Sequence, residues 1–444
     1  MIEVEPVRIG AGAGFSGDRL EPAVILAERG RIQFLVLECL AERTIALAQL
    51  RRRQDPDGGT DPLLDRRMAL LLPVIHRNGV RIVTNMGAAN PLAAARRVAE
   101  IAGSFGLRLR VAAVTGDDVL ATLDREVPAL ESGRPLREYG ALISANAYLG
   151  ADALLPALES GADVVVTGRV ADPSLFVAPI AHHFGWRMDD VERIARATVV
   201  GHLLECAGQV SGGYFADPGK KEVPGLATLG FPFADVDEEG NGSIGKVDGT
   251  GGRIDIGTVT EQLLYEVTDP SGYVTPDVVV DFTTVRLREN APDRVAVSGA
   301  TGRPRPSLLK ASIGYHAGFV GEGELSYAGT NAVARARLAA DIVRERLRGE
   351  VGDIRVDLIG STSLHGRSFL ADEKVHEVRL RVAARCAAKE QASRVGEEVE
   401  ALYTNGPAGG GGARKSVTEQ VGIVSCLIPR DRAVARVTLF ESRP

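Results

Sequence analysis

The chain has 444 residues, of which 45% are apolar and 25% charged, enough for about two or three domains with a sizeable buried core. A net charge of -6 and an aromatic content of 5% give no basis for a nucleic-acid face, an anionic-membrane patch or a base-stacking platform. Cys39, Cys206, Cys386 and Cys426 stand far apart without a CxxC pair, which excludes a zinc ribbon or a disulfide framework and suits a reducing cytoplasm. The first residues show no basic-then-apolar leader, and no apolar run reaches the ~18 residues of a membrane span. A cytoplasmic protein is therefore expected.

The first element is a short strand that runs into glycines and a polar cluster, VRIGAGAGFSGDR over residues 7–19, with Ser16, Asp18 and Arg19 at its end. A second strand, in IQFLVLECLAER over residues 32–43, ends in Glu38, Cys39, Glu42 and Arg43. Glycine after a strand lets the backbone turn and approach a ligand closely. Gly12, Gly14 and Gly17 have GxGxxG spacing, and Glu38 lies where a ribose-binding acid would sit, so NAD(P) binding is one reading. Pro22 counts against it: proline suits the first helical position, which puts the helix start after the loop rather than within it.

Further apolar runs follow up to about Asp172, separated by helical stretches, as expected of βαβ units around a parallel sheet buried on both faces. Each run ends in polar residues: Asn85 and Asn90, then Asp117 and Asp118, then Asn146, then Thr167, Arg169 and Asp172. Ligands of parallel sheets bind outside the carboxyl ends of the strands, so these clusters are expected to converge on one edge. Taken singly, each also reads as a turn or helix cap.

Residues 189–209 read as a helix, with Asp189 and Glu192 in a capping-box pattern and Gly208 as the stop. His202, Glu205 and Gln209 fall on one face, which offers an acid–base pair or, equally, a satisfied helix surface. Residues 210–255 are rich in glycine and are expected to be loops over a site. From about residue 350 the pattern becomes a smaller α+β unit. Within it Gly410 and Gly411 precede Arg414, either as a backbone-amide nest with a cation or as a hinge.

Phosphate-loop, zinc-protease and nucleophile-elbow motifs are absent, and the seven histidines show no ligand spacing, so no metal is assigned. A carboxylate-held divalent cation leaves little sequence signature and stays open. The chain instead supplies carboxylates, amides and arginines at loop positions, an inventory for proton transfer and for binding carboxylate or phosphate.

The strings GAGAGFSGDR, ECLAERT, TNMGAANP, SANAYLGA, VVVTGRVADPSL, GHLLECAGQVSGGYFADPG, GEGELSYAG and GPAGGGG together resemble the acyclic terpene utilisation A (AtuA) family over about residues 6–440. The resemblance implies a catabolic setting for terpenoids or branched acids handled as CoA thioesters, without assigned catalytic roles. Many relatives are expected to carry a small extra domain, which here would come from a separate partner chain or be dispensable.

The expectation is an α/β domain over 1–345 with a mostly parallel sheet, a smaller α+β domain over 350–444, and a homo-oligomer. The favoured function is a hydratase or other lyase acting next to a carbonyl, on a carboxylic acid or with CoA as part of the substrate. Glu38, His202 and Glu205 are the acid–base candidates. Gly12, Gly14, Ser16, Gly17, Asp18, Arg19, Asn85, Asn146, Arg169, Asp172, Gly410, Gly411 and Arg414 are the substrate-binding candidates. A non-catalytic scaffold subunit and an NAD(P)-dependent oxidoreductase stay open as readings of other classes.

Overall fold

The computed structural model describes residues 5–366 and 375–443. In chain order the first elements are β1 (Val7–Ala13), α1 (Glu21–Arg29), β2 (Phe34–Leu37), α2 (Glu42–Gln54), α3 (Leu64–Asn78), β3 (Arg81–Thr84), α4 (Pro91–Ser104) and β4 (Arg110–Thr115). They are followed by β5 (Leu142–Ala147), α5 (Leu155–Glu159), β6 (Val164–Thr167), α6 (Ser174–Phe184), α7 (Val191–Glu205), β7 (Pro232–Val236), β8 (Gly242–Lys246) and α8 (Ile256–Leu264).

Five strands pair in parallel in the order β1-β2-β3-β6-β4. Their runs, FLVL in β2 and VVVT in β6, are buried at every position because helices cover both faces. α4 starts where its sequence dictates: the Asn90 side chain accepts from the Ala93 amide and Pro91 fills the first turn. The fold is α/β, as expected.

The parallel set is extended by antiparallel strands on both sides. β7 pairs with β1 and β8 with β7, so the glycine-rich tract 210–255 contains two sheet strands and is not loop throughout. Their alternation is short and broken by glycine, which hides the strand period. At the other side Arg436–Glu441 pairs with β4. β5 leaves the main sheet and pairs with the strand Leu308–Ala328. Only short 3₁₀ turns separate β4 from β5, and a parallel neighbour needs a crossover of a dozen or more residues, normally helical.

Two compact units emerge: residues 1–314 with 423–444, and residues 315–422. The helix Ala332–Arg346, read from sequence as the end of the first domain, belongs to the second unit, and the closing strand Arg436–Glu441 belongs to the first. In the second unit Ile354–Ile359 and Glu377–Cys386 pair antiparallel with each other, and the latter pairs with Phe319–Ala328. Leu325, Tyr327, Leu380 and Val382 face the helices Ala332–Arg346 and Lys389–Glu400 to form a separate core.

Candidate functional site

The carboxyl ends of β1 and β2 open onto a cavity of about 640 Å³ within the first unit. Its lining includes Gly14, Ser16, Asp18, Glu38, Glu42, Arg169, Asp172, Glu205 and Gln209. The strand-end position is the one expected of a parallel sheet.

Glu38 leaves β2 and is buried. Its Oε1 accepts from the Leu40 amide and from Asn85 Nδ2, both at 2.9 Å. Asn85 Oδ1 in turn accepts from the Cys39 amide at 2.7 Å, so Asn85 fixes the loop and orients the carboxyl. Burial pushes Glu38 up to about 7, against the opposing pull of Arg169 and the two hydrogen bonds, and the Glu205 charge adds to the rise. Cys39 is a poor nucleophile: burial raises its thiol well above the ordinary range, despite Arg67 Nη1 at 2.8 Å from the sulfur.

Arg169 is buried, and its guanidinium is spent on the carbonyls of Leu40 and Val170 and on Asp172. It stacks over Tyr148 at 4.6 Å. It therefore acts on the cavity chiefly as a fixed positive charge. Its backbone amide donates to Asp117, which also accepts from Asn146 Nδ2 at 2.8 Å. Burial lifts Asp117 to about 6. Asn146 Oδ1 is buried without a hydrogen-bond partner among the described residues, and the Asn146 side chain braces Asp117 beneath the β6 end.

The α7 helix is capped by Asp190, whose side chain accepts from Arg193, rather than by Asp189, which pairs with Arg187 in solvent. His202 is buried on this helix. Its Nε2 lies 3.0 Å from the Gln262 carbonyl, which can only accept, so Nε2 carries hydrogen. Nδ1 faces Glu205 Oε1 at 2.9 Å. Burial raises the Glu205 carboxyl, with His202 opposing, and Oε2 has no hydrogen-bond partner among the described residues. Glu205 lines the cavity, while His202 sits behind it against Tyr273 and Phe282.

The glycines of the first loop have different tasks. A Cβ on Gly12 would lie 2.5 Å from Leu37, inside the sheet packing. A Cβ on Gly14 would lie 2.5 Å from the Cys206 backbone, so Gly14 lets the β1 loop touch the end of α7. The Gly14 amide donates to Asp18 Oδ2 at 2.8 Å, and α1 starts only at Glu21. Gly17 packs beside Phe15 at the surface. Arg19 is exposed, hydrogen-bonds the Ala227 carbonyl and does not line the cavity. Gly410, Gly411 and Arg414 belong to the second unit, where Gly411 opens the strand Gly411–Pro429 and Arg414 is exposed.

Sequence reasoning missed Cys206, Tyr265 and Glu266, which line the cavity, and Tyr148, which reaches it only through its contacts with Glu42 and Arg169. Glu42, at the first turn of α2, was visible but received no role. Burial works to raise it, yet the Tyr148 hydroxyl, Arg169 and Lys310 together hold it down at about 2. Among the described residues no group of three or more His, Cys, Asp or Glu side chains is arranged to hold a metal ion. Nor does any described helix have the length and apolarity to cross a membrane.

The family model for the acyclic terpene utilisation family protein AtuA matches residues 7–439. No curated protein and no solved structure matches the chain.

Proposed function

The chain belongs to the AtuA family, named for the catabolic use of acyclic terpenes, and on that premise we propose that it is an enzyme of carboxylic-acid or acyl-thioester breakdown. The reaction we assign is addition or elimination of water next to a carbonyl. The observation that carries this reading is Glu38, a buried carboxyl with a pKa of about 7, oriented by Asn85 at the wall of a large cavity. A group poised near neutrality can both take and return a proton.

In the elimination direction, ionised Glu38 takes the proton from the carbon next to the carbonyl. The electron pair left behind forms the C=C bond as the C–O bond at the neighbouring carbon breaks. Glu205, whose carboxyl burial pushes toward the protonated form, gives its proton to the departing hydroxyl, which leaves as water. Hydration reverses each transfer. Arg169 supplies positive charge close to both carboxyls and favours the enolate-like state. His202 is a positioning residue behind Glu205. Asn85 orients Glu38, a use different from contact with the enolate oxygen.

A homo-oligomer, a separate small partner chain and CoA as the thiol half of the substrate belong to the same proposal. The dinucleotide alternative loses its main support because the Gly14 amide is already bonded to Asp18 and the helix begins beyond the loop. The test is turnover of unsaturated and 3-hydroxy acids and their CoA thioesters, with Glu38→Gln compared at equal thermal stability. Loss of at least 100-fold supports the assignment, on the scale of one general acid–base group. Unchanged turnover sinks it.

A further inference from the structure

We propose that a second, apolar cavity beside Glu42 holds the aliphatic portion of a ligand whose acyl head occupies the first cavity. This inference rests on the carbonyl-chemistry reading for the head group alone. The second cavity measures about 420 Å³ and lies within the same unit. Glu42 and Asp172 line both cavities, so the two spaces meet at these residues.

The walls away from that neck come from Tyr273, Val274, Pro276, Leu308, Leu309 and Leu427, on three separate segments. Val274, Leu308 and Leu427 are 63%, 38% and 41% exposed, an unusual gathering of large apolar side chains in water around one concavity. The charges here are confined to the neck and compensate one another. The Tyr148 hydroxyl donates to Glu42, Lys310 Nζ lies 3.4 Å from the same carboxylate, and the lysine stands 4.9 Å over the Tyr148 ring. Thr275, also in the wall, donates its hydroxyl to the Val278 carbonyl at 2.8 Å. The far wall thus carries no charge: beyond the Ser307 and Tyr273 hydroxyls it offers apolar surface suited to an uncharged chain.

Burial of one methylene strengthens binding about fourfold. Calorimetric titration with straight-chain carboxylates from butyrate to decanoate, and with their CoA thioesters, tests the idea directly. Affinity is expected to rise three- to fourfold per methylene until the cavity fills. Leu308→Trp and Leu427→Trp, each at a partly exposed position and each checked for an unchanged thermal midpoint, should flatten the series and leave the shortest members unaffected. Should either tryptophan unfold the protein, Val274→Asp serves in its place. A flat wild-type series, no binding at any length, or an unaltered slope in the variants overturns the proposal. Glu38→Gln separates the two readings: it should abolish turnover and keep the slope. Full turnover in that variant with the slope intact would refute the reaction and spare the chain pocket.

Discussion

Glu38 and Glu42 lie four residues apart and line one cavity, yet their carboxyls are held in opposite states. Burial raises the first to about 7, while the Tyr148 hydroxyl and the Arg169 and Lys310 charges overcome burial at the second and hold it at about 2. In the proposed reaction this separation divides labour: the first moves protons and the second stays a fixed anion. The exposed, extended Ala41 between them is the last residue before α2, so the chain turns from strand end to helix within that short interval.

Glu38 should also set a pH dependence of stability. Its folded pKa lies above the ordinary value of 4.5, so the native state binds more protons than the unfolded chain between about 4.5 and about 7. The contribution is fully present below that window and is lost as pH rises through it. Glu38→Gln removes the buried charge and should be more stable than wild type at pH 8 by about 1–3 kcal/mol, with no difference near pH 4. Urea unfolding at the two pH values checks this.

Arg169 opposes the rise at Glu38, so Arg169→Gln should lift the Glu38 pKa further. The proposed elimination needs the ionised carboxylate, and its rate is expected to climb with pH through about 7 in the wild type. In the variant that ascending limb should move to higher pH. A rate–pH profile with the limb unmoved would break the link between the two residues.

Tyr148→Phe removes the hydroxyl that holds Glu42 down. The Glu42 carboxyl should then titrate at higher pH, which carbon-detected NMR of labelled glutamate reads directly. The depressed pKa stabilises the fold above about 4.5 and is lost as pH falls toward 2, so acid unfolding of the variant should begin at a higher pH than in the wild type.

Gly14→Ala is expected to destabilise by about 1–3 kcal/mol, because its Cβ meets the Cys206 backbone, which has no flexible end to give way. Gly411→Ala is the matched control. A Cβ there meets nothing within 4 Å, and its backbone is not in the left-handed region, so thermal melting should barely change.

The architecture was legible where the apolar period is long and uniform. The runs of β2, β3, β4 and β6 announce buried parallel strands, and the residues after them, Glu38, Asn85, Asp117 and Arg169, fall at the carboxyl ends of that sheet. The hairpin of β7 and β8 was hidden because glycine interrupts its alternation. The pairing of Glu42 with Tyr148 spans 106 residues and has no local signature, nor does the packing of Gly14 against Cys206. A glycine spacing that reads as a cofactor loop turned out to admit neighbouring protein atoms at Gly12 and Gly14.

The pairing of Arg436–Glu441 with β4 bears on how the protein is made. Thr115 and Arg436 are 321 residues apart, so during synthesis the β4 edge stays unpaired until all the residues between them have left the ribosome. Val111–Val114 is an apolar edge with unpaired backbone groups, open to any passing strand during that interval. The nascent chain is therefore exposed to misassembly throughout that interval, and for longest when translation between the two strands is slow. Removing the strand Arg436–Glu441 would make that exposure permanent and send the product toward aggregates. A chaperone that covers open sheet edges should raise the yield of the chain that keeps this strand far more than that of the one without it.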